Sequence, residues 1–203
     1  MKLLIDGGII AGGLASRMDG RDKGLQSFQN KAMAQWVFES LQPYVRQVHI
    51  NCNRNEAEYQ AISPLTCSDT IEGFQGPLAG LLSLLLNSDA DYLLVSPCDT
   101  PLLGRKFGQQ MLDILRKKQL EFPDKPLLIA AKDEHRSHPL HLCISRKFAD
   151  SLEQAIHNKQ HRVMKWVNDN DAIWVDFSIE TTSESARFVN FNSIDELNSS
   201  SHA

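Results

Sequence analysis

Residues 7–25 read GGIIAGGLASRMDGRDKGL, and the fold follows from how this stretch changes character halfway. Gly7 to Ala11 is a short, unbroken, uncharged run of strand length, the pattern of a strand covered on both faces. From Gly12 to Gly24 the chain turns polar, with four glycines (Gly12, Gly13, Gly20, Gly24) and three cations (Arg17, Arg21, Lys23). Closely spaced glycines let backbone N–H groups approach an anion without obstruction by Cβ atoms, and the cations add charge to the same place. Neither the Walker A pattern nor G-x-G-x-x-G is present, so this is not an ordinary P-loop or a dinucleotide fingerprint. A solvated surface loop is the plain alternative, but a long loop of this composition after a buried strand reads as functional.

Outward from this stretch, strand-length apolar runs alternate with segments of helical period. Ala32 to Leu41 places Met33, Trp36, Val37 and Leu41 on one helical face. Val45 to Ile50 is strand-like, as is the shorter Leu65 to Cys67. Gly76-Pro77 opens a helix that runs to Leu86, with proline at a favoured first position. Asp91 to Ser96 is a strand that stops at Pro97. A helix follows over Lys106 to Leu120, then strands over Leu127 to Ala131 and Leu140 to Ser145. Phe148 to Ile156 and Arg162 to Val167 are helical. Ala172 to Phe177 and Phe188 to Asn190 read as short strands, and Ser193 caps a last helical turn to Leu197. This alternation predicts an α/β protein, a three-layer sandwich with a mostly parallel, Rossmann-like sheet. Residues 1–197 are expected to form a single domain, followed by a frayed polar tail at 198–203.

Composition narrows the function. The chain has 203 residues, 42% hydrophobic and 23% charged, enough to build a sizeable core. Lys plus Arg is 21 against Asp plus Glu 25, a net charge of -4. That balance argues against a nucleic-acid binder. No apolar run approaches the ~20 residues of a membrane helix, and the N-terminus does not read as a secretory signal. Cys52, Cys67, Cys98 and Cys143 are scattered singly, which predicts reduced thiols in a cytoplasmic protein rather than a thiolate zinc site.

In such sheets ligands bind beyond the carboxyl ends of the strands, so polar residues there are the candidates. Asp99 directly follows the strand ending at Pro97, where a carboxylate can hold Mg²⁺ on a substrate phosphate. The alternative is that it only caps the Thr100-Pro101 turn. Asn51 and Asp69 also follow strands. Singly each is an ordinary turn residue, and their recurrence at successive strand ends is what marks a site. His135, His138 and His141 are spaced by three, but Pro139 breaks any helix there. On a regular strand His138 would face away from the other two, so no metal triad is expected.

These residues carry a resemblance. The run Ile10-Ala11-Gly12-Gly13-x-x-x-Arg17-Met18-Asp19-Gly20-x-Asp22-Lys23-Gly24-Leu25 is similar to the signature loop of the small nucleotidyltransferases. The chain more narrowly resembles the molybdenum cofactor guanylyltransferases. Further matches run in order: Asn51-x-Asn53-Arg54, Gly76-Pro77-Leu78-Ala79-Gly80, Pro97-Cys98-Asp99-Thr100-Pro101, His138-Pro139, Arg162-Val163-Met164, Val175-Asp176-Phe177 and Phe188-x-Asn190-x-Asn192. The resemblance implies transfer of GMP from GTP to Mo-molybdopterin, with release of pyrophosphate and Mg²⁺ as cofactor. It implies that Ile10, Ala11, Gly12, Gly13 and Lys23 contact GTP, and that Asn51, Asp69 and Asp99 line the same site. Asp99 would also bind the metal. Lys23, Asp99 and Arg17 would carry the chemistry, and Arg162, Asn190 and Asn192 would lie toward the pterin. A monomer is expected, in transient contact with proteins that insert and deliver the cofactor.

The chain departs from the family at Asp19, where the usual pattern is Met-Gly-Gly. Asp tolerates left-handed backbone angles, but its charge sets it outside the presumed triphosphate site. Two other readings stay open from the residues alone. One is a nucleotidyltransferase that uses CTP or another phosphate acceptor; the other is a nucleotide-binding homologue without turnover.

Overall fold

The computed structural model describes residues 3–12, 22–71, 76–178 and 187–191. Gly13, Arg17, Asp19, Asn192, the helical turn expected at 193–197 and the tail at 198–203 lie outside the described residues.

The opening run forms β1 (Ile5–Ile10), buried from Asp6 onward. After the loop come two two-residue strands, β2 (Ser27–Phe28) and β3 (Lys31–Ala32), which pair as a small hairpin, and then α1 (Met33–Leu41). The chain continues through β4 (Val48–Asn51), α2 (Glu56–Gln60), β5 (Thr66–Cys67), α3 (Pro77–Leu86) and β6 (Tyr92–Pro97). Then follow α4 (Arg105–Glu121), β7 (Leu128–Lys132), β8 (Ser137–Ser145), α5 (Ala149–His157), α6 (Val163–Asp169) and β9 (Ile173–Asp176).

Seven strands make one sheet in the order β5-β4-β1-β6-β8-β7-β9. All neighbouring pairs are parallel except those of β8, which runs antiparallel to both β6 and β7. The expected three-layer α/β sandwich with a mostly parallel sheet is what forms. Leu41, Phe107, Met111 and Leu115 of α1 and α4 fill one side of the sheet. Leu81, Leu85, Leu152, Ile156 and Trp166 of α3, α5 and α6 fill the other. No helix among the described residues is long and apolar enough to cross a membrane.

Three local readings differ. Residues 188–190 are not a strand: a turn at 187–188 leads into irregular chain. Phe188 packs instead on the β8 histidines, and that contact replaces a ladder. The five-residue α2 and the small hairpin are not signalled by any apolar period, because each is too short to show one. On β8, Leu142 pairs with Ala130 but His138 pairs with Ala131, so the three residues 139–141 are left over as an irregularity. It cancels the expected alternation and brings the rings of His138 and His141 to 5.7 Å.

β1 is the point where the winding of the sheet reverses. The chain runs from it to β4 and β5 on one side, then returns to β6 on the other. A crevice at such a reversal, beyond the carboxyl ends of the strands, is where this architecture binds ligands.

Candidate nucleotide site

Backbone register brings four strand ends into one row. Ile10 pairs with Asn51 on β4 and with Pro97 on β6, and Asn51 pairs with Cys67 on β5. Asn51 and the residues that follow the row, Ala11 and Gly12, Cys52 and Asn53, Asp69, and Cys98 and Asp99, therefore share one edge. Ala11 N donates to Asn51 O at 2.8 Å, and Cys98 N donates to Ile10 O at 3.0 Å, so the row stays locked past the end of the sheet.

Asp99 sits on the tight turn after β6, with a largely buried side chain. Its Oδ2 is paired with the ammonium of Lys23, which closes the loop after β1. Its Oδ1 is buried and has no hydrogen-bond partner among the described residues. An uncompensated buried carboxylate oxygen is unfavourable by the full desolvation penalty of the group, so it marks a position suited to a cation or donor. A hard divalent cation fits this oxygen donor. A pure turn cap does not leave the oxygen in this state.

Asn51 is fully buried. Its Nδ2 donates to Asp69 Oδ1 at 2.9 Å, and because a carboxylate only accepts, the amide orientation is fixed. Asn53 Nδ2 lies 2.8 Å from Asp69 Oδ2 and 3.2 Å from Gly12 O, while Asn53 Oδ1 accepts from Asp69 N at 2.8 Å. The Asn51 Oδ1 left over is buried, has no partner among the described residues and faces two glycines. A Cβ on Gly12 would lie 2.8 Å from it, and a Cβ on Gly80 of α3 only 2.4 Å. Both glycines are required here by close approach to one amide. Asn53 and Gly80 were not among the expected site residues, although both fall inside quoted motifs.

The late segment 187–191 reaches the same edge. Phe191 N donates to Asp99 O at 3.3 Å, and the Phe191 ring packs 5.0 Å from Phe28 of the small hairpin. Asn190 is thereby held one residue from the Asp99 turn. Phe188 stacks on His138 at 4.2 Å, and Arg136 donates to its carbonyl at 3.2 Å. His141 Nε2 lies 3.1 Å from Thr100 Oγ1 and so supports the turn from beneath. Burial pushes the His141 imidazole well below its ordinary range. It lowers His138 too, against the pull of Asp133 2.7 Å away. Both rings are neutral packing and hydrogen-bonding elements at pH 7.

Arg162 lies on the other face of the sheet from Lys23. It is exposed at the start of α6, on the α3 and α5 side of the sheet, and no contact among the described residues joins it to Asn51, Asp69 or Asp99. All four thiols are free. Burial pushes Cys52 up to about 11 and Cys67 up to about 12, and holds Cys98 well above its usual range. They are protonated at neutral pH and are poor nucleophiles. The edge thus offers cations, oxygen donors and glycine gaps, which are the means of holding a polyphosphate.

Comparison with known proteins agrees. A family model described as the MobA-like NTP transferase domain matches residues 7–173. A molybdenum cofactor guanylyltransferase from Haemophilus influenzae is 35% identical over 197 residues, covering 97% of each chain. One from Shewanella sediminis is 34% identical over 203 residues, covering 100% of this chain and 98% of its own. Among solved structures, molybdopterin-guanine dinucleotide biosynthesis protein A from Archaeoglobus fulgidus superposes with a TM-score of 0.73. It covers 97% of each chain at 19% identity, a likeness of fold.

Proposed function

The chain belongs to the MobA-like NTP transferase family and is a nucleotidyltransferase, and from that premise we propose that it transfers GMP from GTP to Mo-molybdopterin. The observation that carries the reading is Asp99, at the carboxyl end of the central strands, with one oxygen on Lys23 and the other buried and without a hydrogen-bond partner among the described residues. The names of the full-length relatives supply guanine and the pterin.

In the proposed reaction the terminal phosphate of the pterin attacks the α-phosphorus of GTP. The bond between the α-phosphorus and the bridging oxygen breaks, and pyrophosphate leaves with the electron pair. A phosphate monoester is already ionised at pH 7, so no general base is needed. The difficulty is bringing two anions together, which makes catalysis a matter of placement and charge.

The residues divide that task. Lys23 holds the departing phosphates, and Ile10, Ala11 and Gly12 with Gly13 bring backbone groups to the nucleotide. Arg17 adds a forked phosphate contact. Asn51 and Asp69 line the nucleoside side, and Asn190, Asn192 and Arg162 serve the acceptor. Asp99 Oδ1 is suited to hold Mg²⁺. When bound there, the ion withdraws charge from the α-phosphate and fixes its orientation. Residues through 197 act as one domain, and the four free thiols accord with a reducing cytoplasm.

The test is pyrophosphate release from GTP in the presence of the pterin acceptor. Asp99→Ala should lower turnover about a hundredfold, on the order of 3 kcal/mol, with the unfolding midpoint retained. Near-normal turnover in the folded variant removes Asp99 from the mechanism.

A further inference from the structure

A second carboxylate, beside Lys23 in sequence, has no part in the chemistry above. Asp22 is buried, and its carboxylate is taken up by α2, the residues just before it and the turn at Gly24. Its Oδ1 accepts from Tyr59 Oη at 2.6 Å and from Gly24 N at 3.2 Å. Its Oδ2 accepts from Asn55 Nδ2 at 3.0 Å and from Arg54 Nε at 3.4 Å. Three of these donors lie on α2 or just before it, more than thirty residues away in sequence.

A buried carboxylate is retained only where charge-assisted hydrogen bonds offset several kcal/mol of desolvation. Here they fasten one point of the chain. Tyr59 is completely buried, so its hydroxyl is a fixed post. Gly24 is pressed against that post: a Cβ there would lie 2.5 Å from Tyr59 Oη and 3.0 Å from Cys98 Sγ. The carbonyls on this turn are held as well. Asp22 O accepts from Gln26 Nε2 at 2.9 Å, Lys23 O from Gln26 N at 3.2 Å, and Gly24 O from Ala34 N at 2.9 Å. Lys23 therefore projects from a backbone fixed on both sides, toward the Asp99 turn that Cys98 belongs to.

We propose that Asp22 is a positioning residue: clasped by Tyr59, Asn55 and Arg54, it fixes the backbone that aims Lys23 at the phosphates. This rests on the nucleotide reading of the Lys23–Asp99 edge and adds a residue that sets the geometry without touching substrate.

Asp22→Asn keeps the shape but exchanges one acceptor for a donor that faces Asn55 and Arg54. Tyr59→Phe keeps the packed ring and removes one donor, and it serves where Asp22→Asn does not fold. The experiment is calorimetric binding of GTP and of GMP to the wild-type protein and both variants, with thermal unfolding alongside. GTP affinity should fall about tenfold in Asp22→Asn and less in Tyr59→Phe, while GMP affinity stays within about twofold of wild type, because only GTP carries the phosphates that Lys23 grips. Unchanged GTP binding in a folded variant, or an equal fall for both ligands, overturns the positioning role. If the wild-type protein binds neither ligand, the nucleotide reading itself fails, which is a separate result.

Discussion

Replacing Lys23 with methionine should shift two affinities in opposite directions. The side chain keeps an unbranched apolar stem but loses the terminal ammonium and its charge. In the structure the ammonium sits on Asp99 Oδ2, the carboxylate proposed to hold the metal, so Lys23 and a divalent cation compete for one group. At ~4 Å and an effective dielectric near 20, a unit pair interacts by about 4 kcal/mol. The Lys23 side chain is 26% exposed and that of Asp99 13%, so water screens part of this. A net competition of about 1–2 kcal/mol remains, which is about tenfold in metal affinity. Mn²⁺ titrated without nucleotide, with the free ion followed by its paramagnetic resonance signal, should bind Lys23→Met about tenfold more tightly than wild type. GTP should bind the same variant more weakly, because a phosphate contact is gone. If folded Lys23→Met binds Mn²⁺ no better than wild type, the view of Asp99 as a metal carboxylate masked by Lys23 is wrong.

Two further outcomes follow from the packing. Gly80→Ala adds a methyl 2.4 Å from Asn51 Oδ1 and 3.3 Å from Ile10 Cγ2. Overpacking should outweigh the gain in helix propensity and destabilise the fold by roughly 1–2 kcal/mol, with GTP binding weakened as Asn51 is pushed off Asp69. Thermal unfolding and calorimetry check both parts. His138 and His141 are held neutral, chiefly by burial, so their native protonation lies below the ordinary value of 6.5. Below that pH the unfolded chain takes up protons that the native one refuses, and stability falls with the pH. The slope reaches at most about 1.4 kcal/mol per pH unit for each histidine. Urea midpoints at several pH values from 7.5 to 5.5 should decline, and a flat profile refutes this assignment.

The sheet was legible because its strands are continuous apolar runs between turn residues. The strand ends were legible for the same reason: Asn51, Asp69 and Asp99 each follow such a run, and register then places them side by side. What stayed hidden depends on contacts distant in sequence. Asp22 reads as one more charge in a loop until Tyr59 and Asn55 arrive from α2, a helix too short to show a period. His138 and His141 read as opposite-facing because alternation assumes an unbroken ladder, and residues 139–141 break it. Phe188 to Asn190 has strand composition, yet stacking of Phe188 on His138 decides its conformation. Arg162 matches a motif by sequence, and the structure sets it, exposed, at the start of α6, on the opposite face of the sheet from α1 and α4.

The most direct test of the central claim is calorimetric binding of GTP, CTP and ATP to the wild-type protein, each with and without Mg²⁺. The account predicts that GTP binds in preference to the other two and that Mg²⁺ tightens it through Asp99. A preference for CTP contradicts the guanylyl assignment, and no binding of any of the three contradicts the nucleotide site at the carboxyl edge of β1 and β6.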